Sequence, residues 1–384
     1  MSKSIKIILA GLAGATIMAT AASASGFSRG TADTDILYED GNFVSRSSIA
    51  FVSPTVDVNY VGITGASSGE IAQDYVVPNF AMKLQATDNV ACAGTYTTPF
   101  GAGSDYTGTT AGFDNDALAT TKQTFVTNEF GLTCAYGMDA GKGRFSILAG
   151  GFIQTLDYEQ LVGAGAFRFE LSDTGYGYRV GAAYEIPEIA LRAQLMYRSA
   201  VSVDATGTFA TIGGFVTNPN AFGRATFPQS VELKAQSGVA PGWLVFGGVK
   251  WTDWSVFDVL TYQASTPVDS TLNFFWKDGW TVNAGVAHQF TDDIAGSISL
   301  TWDSAVGTGH DLRDADVWTI AAGGSYKPND MVEFRAGLGV SFIGAATQTF
   351  TSNALGTPIV APAGFKSSEA GQAIGGTISA KIKF

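Results

Sequence analysis

The stretch "VEFRAGLGVSF", Val332 to Phe342, sorts its side chains onto two faces. Val332, Phe334, Ala336, Leu338, Val340 and Phe342 fall on one face; Glu333, Arg335, Gly337, Gly339 and Ser341 fall on the other. Successive side chains of a β-strand point to opposite sides of its sheet, so this is strand periodicity with one apolar and one polar face. The pattern recurs. In "SVELKAQ", Val231, Leu233 and Ala235 alternate with Glu232, Lys234 and Gln236. In "ALRAQLMYRS", Leu191, Ala193, Leu195 and Tyr197 alternate with Arg192, Gln194, Met196 and Arg198. Alternating segments about ten residues long suit a transmembrane β-barrel, apolar side to lipid and polar side to lumen. A soluble sandwich alternates too, and the connections separate the two.

Turn-forming clusters sit near Asp88-Asn89, Asp139 to Gly143, Pro187-Glu188, Pro241-Gly242, Asp292-Asp293 and Pro328 to Asp330. Between them the connections are long and polar, at roughly 63–73, 105–120, 160–173, 205–225, 255–277, 304–314 and 346–366. Short turns alternating with long loops is the outer-membrane arrangement, turns in the periplasm and loops outside. The spacing predicts an all-β chain: a fourteen-stranded antiparallel transmembrane β-barrel, an even number that leaves both ends in the periplasm. Closure satisfies every backbone group internally, which lipid demands.

The ends agree. The chain opens with Lys3 and Lys6, an apolar run from Ile7 to about Ala22, and Ala22-Ser23-Ala24. This is the form of a secretory signal peptide over 1–24 with a mature start at Ser25. No later segment has the ~20 consecutive apolar residues of a membrane helix. At the other end "TISAKIKF" puts Ile378, Ala380, Ile382 and Phe384 on one face and Thr377, Ser379, Lys381 and Lys383 on the other. Between signal and first strand, residues 25–49 do not alternate and carry Asp33, Asp35, Glu39 and Asp40. The lumen face carries Lys83, Arg192, Arg198, Lys234, Arg335, Lys381 and Lys383. An acidic segment facing a basic lumen suggests an N-terminal hatch folded inside a barrel over 50–384 and held by ion pairs; a disordered periplasmic tail is the alternative.

Catalytic chemistry has little to work with. The histidines are His288, whose parity places it on the lipid face, and His310, in a long loop. No nucleophile elbow, phosphate loop or zinc spacing occurs, so no enzyme activity, cofactor, metal or nucleic-acid partner is expected. Cys92 and Cys134 lie near the periplasmic ends of neighbouring strands three and four, where an oxidising compartment permits a disulfide. Register decides between that and two small wall residues. Most of the tryptophans fall near strand ends, as interface anchors do.

Several stretches, in order, resemble the long-chain fatty-acid transporters of Gram-negative outer membranes (FadL type) with their aromatic-hydrocarbon branch. "SGF" at Ser25 looks like the mature start and "GNFVSR", Gly41 to Arg46, like the hatch. "VPNFAMKL" and "TPFGAGSDY" look like strands two and three; "YRSAVSVDATGTF", "KWTDWSVF", "WKDGWTVNAGV", "TWDSAV" and "DVWTIAAGGSY" follow in the family's order. The chain departs from the family where Arg46 is followed by Ser47-Ser48-Ile49 rather than Asn-Pro-Ala, and where Val317 follows Asp316 in place of arginine. A final strand ending in Phe384 is similar to the signal read by the outer-membrane assembly machinery.

The resemblance implies uptake of hydrophobic small molecules, fatty acids or aromatic and aliphatic hydrocarbons, by a monomer in the outer membrane. Phe100, Trp254, Phe257 and Trp276 become candidate substrate contacts, and Lys277 a candidate for an anionic headgroup. It also implies that strand three kinks inward and opens the wall. The residues fit: Pro99 gives the ladder no N–H, and Gly101 and Gly103 permit a bulge, so these three form a candidate lateral gate. A cargo that stays in apolar surroundings keeps about 0.8 kcal/mol per methylene. Two other readings remain at this point: a general porin for polar solutes, which needs an open lumen, and a non-transporting adhesive barrel.

Overall fold

The computed structural model describes residues 26–61, 69–107, 120–163, 165–264, 270–312, 315–352, 358–360 and 365–384. The expected signal segment 1–24 and Ser25 lie outside them. Fourteen barrel strands run in chain order. They are β1 (Phe43–Thr55), β2 (Tyr75–Gln85), β3 (Val90–Thr97 and Gly101–Asp105), β4 (Thr120–Ala140) and β5 (Gly143–Val162). Next come β6 (Phe167–Ile186), β7 (Leu191–Arg198 and Val201–Thr211), β8 (Val216–Phe227 and Ser230–Ala240) and β9 (Trp243–Thr252 and Val259–Gln263). The last are β10 (Ser270–Asn273 and Gly279–Gln289), β11 (Ile294–Asp303), β12 (Val317–Tyr326), β13 (Val332–Ile343) and β14 (Gly371–Lys383). Each pairs antiparallel with its sequence neighbours, and β1 closes the ring on β14 from Val44↔Lys383 to Thr55↔Gln372.

The two faces of β13 fall as its alternation requires. Glu333, Arg335 and Ser341 are buried inside, while Phe334, Leu338 and Phe342 are exposed, Leu338 at 70 %. An apolar face this open is a lipid face. Indole rings mark its borders: Trp251 stands opposite Trp280 and Trp302 opposite Trp318 toward the loop ends, and Trp243 packs on His288 at the turn end. The sulfurs of Cys92 and Cys134, directly opposite each other on β3 and β4, form a disulfide.

The wall is uneven in height. β4, β5 and β6 have 21, 20 and 20 residues, whereas β11 and β12 have 10 each. At ~3.4 Å per residue the first group reaches about 70 Å along the strand, far beyond an apolar band ~25 Å tall. This tall side carries the upper lumen outward from the membrane.

One boundary moves. β1 begins at Phe43, so residues 43–49, Arg46 among them, belong to the wall and not to the segment inside it. The alternation is hidden there because Val44 points inward, against Ile36 and Leu37, while Ser45 and Ser47 face outward. What runs through the lumen is 26–42, with one 3-10 turn at Thr34–Tyr38.

Candidate functional site

Five strands break at a similar level: β3 at 98–100, β7 at 199–200, β8 at 228–229, β9 at 253–258 and β10 at 274–278. A strand that leaves its ladder can turn side chains inward that regular alternation would send to lipid. Phe100 comes from the β3 break, Trp254 and Phe257 from β9, and Phe274 and Trp276 from β10. They meet in one apolar cluster. Trp254 lies 5.7 Å from Phe100, 5.4 Å from Phe257 and 5.4 Å from Trp276, and Phe257 stacks on Trp276 at 5.5 Å. Four of the five expected substrate contacts are thus brought together.

The centre of this cage is occupied. Phe27 reaches Phe125 at 4.9 Å, Trp276 at 4.7 Å and Phe257 at 5.5 Å. Neither Phe27 nor Phe227, stacked on Phe100 at 5.2 Å, stood among the sequence candidates. The signal for Phe227 was Pro228, a strand break like Pro99. Phe27 gave none beyond its place in "SGF". Above, the connection between β11 and β12 covers the cage with buried Val306, and Asp311 Oδ2 accepts a bond of 2.7 Å from Trp276 Nε1. Burial pushes the neighbouring His310 imidazole below its ordinary value, with Asp311 pulling the other way. Lys277 is not in the cage: its side chain is exposed, and its backbone N–H donates to Val306 O at 2.8 Å.

Below the break level the lumen is polar. Glu129 pairs with Arg179 and, at 2.9 Å, with Arg198, whose guanidinium also donates to Gln154 at 2.6 Å. Lower still the wall grips the segment. Asp33 and Glu39 both bind Arg46, Glu39 takes Lys381 at 2.8 Å and Arg335 at 3.8 Å, and Asp35 takes Lys234 at 3.5 Å. Burial works against the charge on Glu39 and Asp35. The surrounding cations outweigh it and hold both carboxyls below their ordinary values. Asp40 is exposed and outside these pairs.

At the β3 break the wall itself is incomplete. β2 pairs with β3 only from Gln85↔Ala91 up to Asn79↔Thr97. Above that, Tyr75 to Pro78 pair with β1 alone, and Gly101 to Gly103 pair with β4 and not with β2. Ladder contact between the two sides resumes at the Ala72↔Ser104 bridge. On β4 the partner moves from Glu129 to Val126, three residues, while β3 moves from Thr97 to Gly101, four. One surplus residue is a bulge. Thr127 N donates to Phe100 O at 3.0 Å, and Thr127 Oγ1 takes the place of the other ladder partner by accepting from Phe100 N at 3.0 Å. Pro99, which has no N–H, sits at the turn. The free edge of the kink is not bare: Arg29 N donates to Pro99 O, Gly30 N to Thr98 O and Gly101 N to Phe27 O, at 2.8, 2.9 and 3.0 Å. The lumen segment has added itself there as a short strand.

Similarity to known proteins agrees with this architecture. A family model described as "Outer membrane protein transport protein (OMPP1/FadL/TodX)" matches residues 13–296. The long-chain fatty acid transport protein of Salmonella typhi is 24 % identical over 380 residues, 84 % of this chain and 85 % of the relative. Among solved structures, a Pseudomonas aeruginosa FadL homologue superposes with TM-score 0.74 at 13 % identity, covering 91 % of this chain and 92 % of that one. The toluene transporter TodX of Pseudomonas putida superposes with TM-score 0.63 at 15 % identity, covering 95 % and 96 %. Structural likeness at such identities speaks for the fold alone; the family model, matched over most of the chain, speaks for descent. With its closed ring of fourteen strands and its lipid-facing apolar side, the chain belongs to the OMPP1/FadL/TodX family of outer-membrane transport proteins.

Proposed function

We propose that this protein takes up hydrophobic small molecules, long-chain fatty acids or hydrocarbons, and releases them sideways into the bilayer at the β3 break. The observation that carries this reading is adjacency: Phe100 belongs both to the aromatic cage and to the kink. Cargo would enter from the loops, displace Phe27 from the cage, and leave between β2 and β3. The wall there has a gap in its ladder, and the apolar cargo need not cross water. Residues 26–42 act as the hatch, because a segment bonded to the kink's free edge must shift before that gap clears.

A general porin needs an open lumen, and the described lumen is crossed by this segment. Phe384, exposed at the end of β14, is the residue we assign to recognition by the assembly machinery. The functional test is flux into proteoliposomes holding the purified protein. Oleate or toluene should enter faster than through protein-free bilayers, and a small sugar should not. Fast sugar flux without hydrophobic uptake would replace this reading with the porin.

A further inference from the structure

The connection between β11 and β12 closes the cage from above. Ala305, Val306, Gly307 and Gly309 are buried, and Val306 packs into the aromatic cluster. The connection is tied to the β10 break residue by residue. Thr308 Oγ1 donates to Phe275 O at 2.7 Å, Trp276 Nε1 donates to Asp311 Oδ2 at 2.7 Å, and Lys277 N donates to Val306 O at 2.8 Å. Phe275 stands between two cage rings, Phe274 and Trp276, and has a φ of 53°. A bulky side chain rarely takes this left-handed region, and it persists only where the surroundings hold it. Here Asp258 O accepts from Phe275 N at 3.1 Å on one side. On the other, Thr308 holds the carbonyl and the His310 ring lies 5.1 Å from the Phe275 ring. Closure of the connection, the strained turn at Phe275 and the seating of Trp276 are therefore one arrangement.

The stems of the connection are pinned to the wall. Ser304 N donates to Trp280 O, and the Asp316 carboxylate accepts from Trp302 Nε1 and Ala305 N at 2.9 and 2.8 Å. Between the stems, Gly307 and Gly309 flank Thr308, and Gly309 has a φ of 94°, a conformation that suits glycine. On the outer side, Gly309 O and His310 O accept from Thr349 N and Gln348 Nε2 at 2.7 and 2.9 Å. Its contact with the neighbouring loop thus does not depend on its contact with the cage. Fixed stems, glycines beside the tie and a second set of partners outside are what a short lid needs. We propose that residues 304–312 are the entry lid of the cage, latched by Asp311 and Thr308. Cargo arriving from the loops meets Val306 and enters when the latch lets go, which also releases the strain at Phe275. The lid governs how fast cargo exchanges, not how tightly the cage holds it. This inference rests on the uptake reading above and names the step that admits cargo.

The test is stopped-flow binding of N-phenylnaphthylamine, a neutral fluorescent probe, to purified protein in amphipol, read by quenching of tryptophan emission. All variants carry Phe27→Ala, so that displacement of that ring does not set the rate, and all are checked for the heat-dependent gel shift of a folded barrel. Asp311→Ala removes a charge-assisted bond of the closed lid and should raise the association and dissociation rates together, each about tenfold. Thr308→Val removes a neutral bond and should raise both by a smaller factor, about threefold, and it answers the question if Asp311→Ala does not fold. In both variants Kd should move by less than either rate. Faster dissociation with unchanged association means that these residues build the cage, and it overturns the lid while the uptake reading stands. Unchanged rates make 304–312 a fixed roof and overturn it equally. A Phe27→Ala parent that binds no probe overturns the cage as the cargo site, and the lid with it.

Discussion

Phe27 reaches five aromatic rings, those of Phe125, Trp254, Phe257, Phe274 and Trp276, with centroids between 4.7 and 6.1 Å. Each such pair is worth about 0.5–1.5 kcal/mol beyond buried area, so the ring competes strongly with any ligand for the cage. Phe27→Ala should tighten binding of a hydrophobic fluorescent probe and expose the 26–42 segment to added protease. Weaker probe binding would mean that Phe27 builds the site and does not occupy it. Lys277→Ala, lying outside the cage, should leave probe affinity unchanged, a comparison the same titration supplies. Phe100, Trp254, Phe257 and Trp276 were legible through the family resemblance of the stretches that hold them, and Phe100 also through its neighbours Pro99 and Gly101. Phe27 was not, because its contacts come from a segment without periodicity.

The lumen segment is held as an element by charge. Asp33, Asp35 and Glu39 meet Arg46, Lys234, Lys381 and Arg335, and Asp40 adds nothing to these pairs. Replacing Asp33, Asp35 and Glu39 by asparagine should raise single-channel conductance in planar bilayers, and adding Asp40→Asn should change it no further. Unaltered conductance in the triple variant would argue against an ion-paired plug. The pH response has a definite sign. Glu39 and Asp35 are held below their ordinary values of 4.5 and 3.8 while docked, so the docked segment binds fewer protons than the released one. Its hold is whole above those values and is lost progressively as pH falls below them. Conductance should be flat from neutral pH down to about 5 and rise in stronger acid, the window in which depressed carboxyls regain protons. A rise toward alkaline pH would contradict the assignment. The segment's charge was legible; its length was not, since inward Val44 and outward Ser45 and Ser47 disguise the start of β1. The disulfide required register, which alternation alone does not supply.

As a whole molecule the barrel was the most legible feature, because lipid imposes a two-residue period on every strand and closure imposes an even count. The interior was the least legible. A cage built from breaks in β3, β9 and β10 obeys no period, and the opening between β2 and β3 depends on where pairing stops. The side exit is the claim on which the rest depends, and straightening β3 tests it most directly. Replacing Pro99, Gly101 and Gly103 by valine, threonine and valine restores the one missing donor, at position 99, and gives all three positions side chains suited to a pleated wall. The nearest atoms to a Cβ added at Gly101 belong to the guanidinium of Arg29, and those nearest to one added at Gly103 belong to the Gln73 side chain, with Oε1 at 2.6 Å and Cβ at 3.2 Å. Those changes leave the surplus residue, so Thr98 is deleted as well, which carries Thr97↔Glu129 into Gly101↔Val126 without a bulge. The measurement is hydrophobic uptake set against ligand binding by the same folded protein. Uptake should fall at least about tenfold, with binding in the cage retained and resistance to denaturant equal or greater, because lost ladder bonds are costly in lipid. Undiminished uptake through a continuous β3 would contradict lateral release.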